Sequence, residues 1–188
     1  GCNYRKMYNF AFEKPTNMQA EPKPYKLPPI NYIGIDPSFR KDGFAVCVID
    51  TDNTAAFTIM KGGLLQFISW ILHDAPEDAI VVVENSNLQN ITFDMSGSKL
   101  VVAAKSRNVG MNQAASEYTY QICKFRYKDN AHQVSPREKG AKRGNDTVQY
   151  LAKHYGHTLQ NYKGQASEQD KRDAYILACM GLNYKIKG

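Results

Sequence analysis

Acidic side chains stand at the edges of apolar or helical segments in three distant parts of this 188-residue chain. Asp36 and Glu84 each end an apolar run, and Asp170 and Asp173 open the last helical pattern. A carboxylate at the end of a buried strand costs free energy unless a group there interacts with its negative charge. Four such acids therefore predict a site for cations.

Carboxylates that converge repel one another, by roughly 3 kcal/mol for two like charges about 5 Å apart at an effective dielectric of 20. Divalent cations relieve that repulsion, and ligation by oxygen alone favours Mg²⁺ or Mn²⁺ over zinc. A pair of such ions binds a phosphodiester, turns water into a nucleophile and stabilises the leaving oxygen. The four acids therefore predict a site for Mg²⁺, for which Mn²⁺ can substitute, and a pair of such ions there would suit phosphodiester hydrolysis.

Each acid also has an ordinary explanation. Asp36 precedes Pro37 and suits a turn, and Glu84 suits a solvated strand end. Asp170 and Asp173 are three residues apart, so they share one side of a first helical turn, where negative charge is favourable in any protein. The joint placement of the four acids on elements in one particular order favours a site.

Hydrophobic periodicity predicts the elements that hold these acids. Strands are predicted at 32–36, 44–50, 55–60, 79–84 and 132–134. Helices are predicted after Gly62 and Gly63 and at 108–127, 145–155 and 168–184, with 100–105 a further helical stretch. Short gaps join the first three strands as antiparallel hairpins, and helical connections make the other two parallel. The pattern predicts an α/β fold with a five-stranded mixed sheet flanked by helices, and Asp36 and Glu84 at neighbouring strand ends.

Domain organisation follows from composition. Prolines cluster among Lys and Tyr in residues 1–30, and prolines at this density block both helices and sheet ladders. The sequence predicts an extended arm or a disordered tail there, followed by one domain at 31–188.

Composition also bounds location and partners. No apolar run approaches the roughly 20 residues of a membrane span, so no membrane partner is expected. The four cysteines lack metal-ligand spacing, which is typical of reduced thiols in a cytoplasmic protein. A formal net charge of +6 favours a polyanionic partner.

Three motifs carry a resemblance to a known family. The run IGIDPS with Gly43 downstream, the run VVVENS and the run DKRDAYILA occur in this order over roughly 32–182. They resemble the first-strand, second-strand and last-helix patterns of RuvC-type Holliday junction resolvases, possibly of a phage type. The resemblance implies a ribonuclease H-like fold and two Mg²⁺ ions held by Asp36, Glu84, Asp170 and Asp173. It also implies paired nicking of a four-way DNA junction by a homodimer.

Two further features have open interpretations. The predicted helix at 108–127 carries small residues on one side, which suits either a dimer interface or a core helix. A basic loop follows the last predicted strand and suits either contacts to DNA phosphates or simple solvation. The family carries a lysine near its site in this loop, and Lys139 and Lys142 both qualify. The candidate DNA-binding residues are Arg137, Lys139, Lys142, Arg143, Lys105 and Arg107, with Lys171 extending the track.

The sequence thus predicts a metal-dependent, structure-selective endonuclease that acts on branched DNA. The sequence is also consistent with two alternative functions, a transposase- or ribonuclease H-type nuclease and a catalytically inactive DNA-binding module. A sugar-kinase or actin-type ATPase also carries Gly-Ile-Asp on its first strand, but that fold needs two domains and a Gly-rich phosphate turn. The scattered histidines are assigned no catalytic role.

Overall fold

The computed structural model describes residues 30–40, 43–89, 96–139, 145–162 and 168–184. Within these ranges the chain forms a mixed α/β fold with one six-stranded sheet and four α-helices. The strands are β1 (Asn31–Asp36), β2 (Ala45–Ile49), β3 (Thr54–Ile59), β4 (Ala79–Glu84), β5 (Ala131–Val134) and β6 (Thr158–Gln160). The helices are α1 (Gly63–His73), α2 (Lys99–Tyr127), α3 (Asn145–Tyr155) and α4 (Glu168–Gly181).

The strand order across the sheet is β5-β4-β1-β2-β3-β6. The first three strands pair antiparallel, β4 pairs parallel with β1, and β5 pairs parallel with β4. The prediction of a mixed sheet is confirmed, but the prediction of five strands is wrong. The sixth strand, β6, pairs parallel with β3 at the sheet edge and has three residues, too few to show a readable alternation.

Helices cover both faces of the sheet. Side chains of α3 and α4 pack with Tyr32 on one face, and side chains of α1 and α2 pack with Ile33 and Ile35 on the other. Successive residues of a strand point to opposite faces, so a strand covered on both sides is apolar throughout. That arrangement explains the uninterrupted apolar runs of β1 and β4.

The backbone of α4 rests directly on β1. A Cβ atom on Gly34 would lie 2.0 Å from the carbonyl oxygen of Ala174 and 2.3 Å from the nitrogen of Ala178. One turn further along α4, a Cβ on Gly181 would lie 3.1 Å from the Tyr32 ring. The helix therefore runs antiparallel to β1, and its first turn reaches the carboxyl end of that strand.

The helix α2 is continuous over 29 residues, where the sequence predicts two separate helical stretches. Ser98 caps its start by accepting a hydrogen bond from the Val101 nitrogen at 3.4 Å. The second half of α2 packs a buried stripe of side chains against the sheet, formed by Ala115, Thr119, Cys123 and Tyr127. The first half of the helix is exposed to solvent. Although α2 is long, no helix of the described ranges has the apolar stretch needed to traverse a bilayer.

A buried histidine links the turn before β6 to α4. The Nδ1 atom of His157 lies 2.7 Å from the hydroxyl oxygen of Tyr175, and both side chains are buried. Burial lowers the pKa of His157 from 6.5 to about 4. Between these values the unfolded chain binds a proton that the folded chain excludes, so acid favours unfolding.

Gly34→Ala should destabilise the protein strongly, because the added methyl group meets helix backbone and not a movable side chain. Overpacking of this kind costs about 1–3 kcal/mol, and more where backbone has to shift. Gly110→Ala, in the exposed half of α2 with open space around it, should gain about 0.5–1 kcal/mol. Urea unfolding midpoints of the two variants measure the contrast, and equal midpoints would contradict the close contact.

His157→Gln should flatten the pH dependence of stability. The contribution of neutral His157 is fully present above pH 6.5 and is lost as the pH falls towards about 4. A titrating group of this kind gives a slope of up to about 1.4 kcal/mol per pH unit. Unfolding free energies at pH 7.5, 6 and 5 test this, with His73→Gln at an exposed site as the matched control.

Candidate active site

The four acids predicted from the sequence meet at one end of the sheet. Ile35 pairs with Val83, so the next residues, Asp36 and Glu84, end neighbouring parallel strands at the same edge. Asp36 follows Gly34 by two positions, so alternation places its side chain on the face that α4 covers. Glu84 likewise shares the face of Val82, which packs against α4.

The first turn of α4 brings the two aspartates to the same edge. The helix contacts β1 at Gly34, and stepping back from that contact by about 1.5 Å per residue reaches Asp173 and then Asp170. Asp170 lies over the turn between β1 and β2, since its Oδ2 atom is 3.6 Å from the Cβ position of Gly43. Packing of α4 on the sheet therefore forces helix acids against strand acids.

The negative charge of Asp36 is strongly disfavoured. Burial raises its pKa well above the ordinary value, and the charges of Glu84, Asp173 and Asp170 raise it further, against an opposing effect of Lys139. Burial and Asp173 likewise raise the pKa of Asp170, while nearby cations lower it. Burial and the proximity of the other acids thus both disfavour negative charge on Asp36 and Asp170.

Lys139 occupies the space between two of the acids. Its Nζ atom contacts Glu84 Oε2 and lies 2.8 Å from Asp173 Oδ2. Burial disfavours the ammonium, but the charges of Asp36, Glu84 and Asp173 outweigh that cost and raise the Lys139 pKa. The ammonium therefore stays charged and joins an acid of β4 to an acid of α4.

Arg172 supplies a second positive charge at the cluster. Its Nε atom lies 3.8 Å from Asp173 Oδ1. Within the described part of the chain this buried Nε atom has no hydrogen-bond partner. Lys139 and Arg172 therefore offset part of the repulsion among the acids, and Arg40 likewise lowers the pKa of Asp170.

Asn85 holds the chain in place directly after Glu84. Its buried side chain donates hydrogen bonds to Glu117 Oε2 at 3.0 Å and Gln133 Oε1 at 2.8 Å, and accepts one from the Asn87 nitrogen at 3.0 Å. The backbone nitrogen of Asn85 donates a hydrogen bond to the carbonyl oxygen of Val134 at 2.8 Å. These bonds tie the end of β4 to both α2 and β5 and fix the backbone that carries Glu84.

The same edge is linked to α2 by further polar contacts. The hydroxyls of Ser86 and Ser116 are 3.1 Å apart, and the Phe39 nitrogen donates to Asn112 Oδ1 at 3.3 Å. Both strand ends that bear acids are thus fastened to the middle of α2. The exposed first half of the helix projects onward from this point.

The oxygen donors at the cluster are of the chemical kind that a divalent cation such as Mg²⁺ prefers. The donors are carboxylate oxygens, and Glu84 Oε2 is buried and accepts no well-formed hydrogen bond within the described ranges, although Lys139 contacts it. In those ranges no three His, Cys, Asp or Glu side chains stand at metal-binding spacing. The contact from Lys139 to Asp173 is 2.8 Å, longer than the roughly 2.0–2.1 Å of Mg²⁺ to oxygen. Glu84 and Asp173 are thus spaced around an ammonium ion.

The predicted DNA-binding residues have different environments. Arg137 is exposed in the turn after β5, and Arg107 and Lys105 are exposed on α2, where Lys105 donates to the Ser96 carbonyl at 3.1 Å. Lys142 and Arg143 lie outside the described residues.

Lys171 does not belong to a surface track. Its side chain is fully buried and its Nζ atom donates to the carbonyl oxygen of Asn161. It lies on the covered side of α4, where it ties the chain after β6 to the helix that carries the aspartates. The prediction that it extends the basic track is wrong, because the helical position of Lys171 faces the protein interior.

Sequence reasoning missed three residues that shape the cluster, Gly34, Asn85 and Arg172. A glycine inside an apolar strand signals close backbone approach, and a polar run directly after a buried strand signals hydrogen bonding at the strand end. Arg172 offered no such signal, because a basic residue in a helix is usually solvated.

No family model matches the sequence, and no curated protein matches it. Among solved structures, the chain aligns with the crystal structure of the yeast mitochondrial Holliday junction resolvase Ydc2, with a TM-score of 0.44 and 11% identity over 84% of this chain and 81% of that chain. A likeness of this size carries no argument about function, which therefore depends on the geometry of the site.

Asp36→Asn should raise the melting temperature in metal-free buffer at pH 7. A carboxyl whose pKa is raised by folding destabilises the folded state when ionised, and the neutral amide removes that penalty. A gain of about 1 kcal/mol corresponds to a rise of about 2–4 °C in a domain of this size. Asp74→Asn, at an exposed helix end, is the control, and a fall in melting temperature for Asp36→Asn would contradict the repulsion.

Proposed function

We propose that this protein is a Mg²⁺-dependent endonuclease that resolves four-way DNA junctions by nicking the phosphodiester backbone. The observation that carries the proposal is the convergence of Asp36, Glu84, Asp170 and Asp173 on one sheet edge around a cation position. Bringing four carboxylates together costs electrostatic free energy, and proteins accept that cost where a site has to hold cations.

The sheet topology supports a ribonuclease H-like fold. Strands β3, β2, β1, β4 and β5 lie side by side in this order, with the first three antiparallel and the next two parallel to β1. This is the arrangement that the RuvC-like motifs of the sequence imply. The first two motifs contribute one acid each, from β1 and β4, and the third contributes two from the first turn of α4.

The four carboxylates are the residues that would hold two Mg²⁺ ions. Bound ions supply a nucleophile from water and stabilise the leaving oxygen of a phosphodiester. The protein contributes position, because Gly34 sets how closely α4 approaches β1, and Asn85 fixes the strand end at Glu84. Arg172, at 3.8 Å from Asp173, supplies positive charge beside the place where a phosphate is bound.

The exposed half of α2 fits the backbone of DNA. From Lys99 to Ser116 the helix carries Lys99, Lys105 and Arg107 and no acidic residue. It leaves the protein body near Asn112, which contacts the turn after Asp36. The stretch from Lys99 to Gly110 is about 18 Å long at about 1.5 Å per residue, enough to follow several phosphates away from the site.

Junction resolution needs two nicks, so we propose a homodimer with one site in each copy. Each site would leave a 5′-phosphate and a 3′-hydroxyl, because attack on phosphorus would release the 3′ oxygen. Two sites held in one assembly would cut opposite strands before the junction dissociates.

Purified protein with Mg²⁺ should cut a four-way junction in symmetric pairs of nicks and leave linear duplex and an RNA–DNA hybrid intact. Asp173→Asn should reduce the cleavage rate at least about a hundredfold, because it removes a metal-holding carboxylate. Labelled strands on denaturing gels give the cut positions, the rates and the chemistry of the ends.

The controls separate the rival functions. Asp129→Asn, at a surface ion pair with Lys124, should cut at the wild-type rate. Cleavage of the hybrid alone would make the protein a ribonuclease H-type enzyme. Junction binding without cleavage in either Mg²⁺ or Mn²⁺ would make it an inactive DNA-binding module and would overturn the proposal.

A further inference from the structure

We propose that Lys139 is a built-in counterion that occupies the cation position of the metal-free site and must leave when a divalent metal binds. The inference rests on the proposed function, since it concerns the metal that this function requires. It assigns to Lys139 a role before any substrate arrives.

The contacts of Lys139 are those of a cation held by ligands. Its Nζ atom contacts carboxylate oxygens of Glu84 from β4 and Asp173 from α4. The side chains are enclosed, with 11% of Lys139, 15% of Glu84 and 17% of Asp173 exposed. The ammonium thus lies inside the cluster and not at its rim.

An ammonium and a divalent ion exclude each other at this position. Both are positive, and the two oxygens that contact Nζ are oxygens that a metal would need. Around Lys139 the Asp173 oxygen lies at 2.8 Å, whereas Mg²⁺ draws oxygens in to about 2.0–2.1 Å. One arrangement of the carboxylates cannot satisfy both cations.

Lys139 ends a short turn after β5. The turn from Ser135 to Lys139 is fixed by a hydrogen bond from the Ser135 nitrogen to Glu138 Oε2 at 3.0 Å and one from the Glu138 nitrogen to the Ser135 carbonyl at 2.9 Å. Arg137 and Glu138 are exposed, so the turn lies at the surface. On this proposal, rotation of the flexible four-carbon side chain would carry the ammonium from the cluster towards solvent.

Two consequences follow for the free protein. Lys139 offsets part of the repulsion among the acids, so the metal-free fold is more stable with it than without it. It also competes with metal, so the affinity for metal is lower with it than without it. A residue that only contacts substrate would produce neither effect.

The test measures direct binding of Mn²⁺ to the protein in the absence of DNA. The electron paramagnetic resonance signal of the free ion monitors the binding. Lys139→Met should bind Mn²⁺ at least about tenfold more tightly than the wild type, because the variant lacks the ammonium that competes with the metal a few ångströms away. Its melting temperature without metal should fall. Lys139→Arg should stay near wild type in affinity, and Lys128→Met, which removes an exposed lysine at the opposite end of the sheet, should change neither quantity.

Wild-type protein provides a second measurement that does not depend on a variant folding. Acetylation by an N-hydroxysuccinimide ester, mapped by mass spectrometry, should modify Lys139 slowly without metal and faster with Mn²⁺, while Lys128 reacts equally in both. Unchanged or weaker Mn²⁺ binding by Lys139→Met, or unchanged Lys139 reactivity, would overturn the counterion role and leave the nuclease proposal standing. Absence of Mn²⁺ binding in wild type and in Lys139→Met would overturn both.

Discussion

The close contact between the backbone of α4 and Gly34 of β1 is the constraint on which the rest of the site depends. With no side chain between them, helix and strand approach more closely than two elements with ordinary side chains. The first turn of the helix then meets the strand ends, and Asp170 and Asp173 face Asp36 and Glu84. Burial of the apolar side of α4, Tyr175 and its neighbours, supplies the free energy that holds like charges together.

That arrangement stores unfavourable electrostatic energy at one edge of the sheet. Packing is stabilising across the core, whereas Asp36 is disfavoured as an anion by its burial and its neighbours. Lys139 and Arg172 relieve the repulsion in part, by contacts to Glu84 and Asp173. Natural proteins tolerate such local cost where a site needs it, because function and stability are selected together.

The helix α2 connects the acidic edge to the exposed surface. Its second half is anchored in the core by Cys123 and Tyr127, and its middle is fastened to the strand ends through Asn85 and Ser86. The first half carries basic side chains into solvent. One continuous helix thus spans the core, the acidic edge and the exposed basic side chains, so the position of these basic side chains relative to the carboxylates is fixed by rigid secondary structure.

Periodicity and the ends of apolar runs are local properties of the chain, so the sequence was enough to predict the main strands, most of the helix boundaries and the four acids as candidates. It missed β6 because three residues show no period, and it divided α2 because no pattern continues through its exposed half. Only the tertiary structure placed Lys139 between Glu84 and Asp173 and buried Lys171. Those contacts join residues far apart in the chain, and the distance between them is set by packing of helices on the sheet and not by any spacing along the sequence.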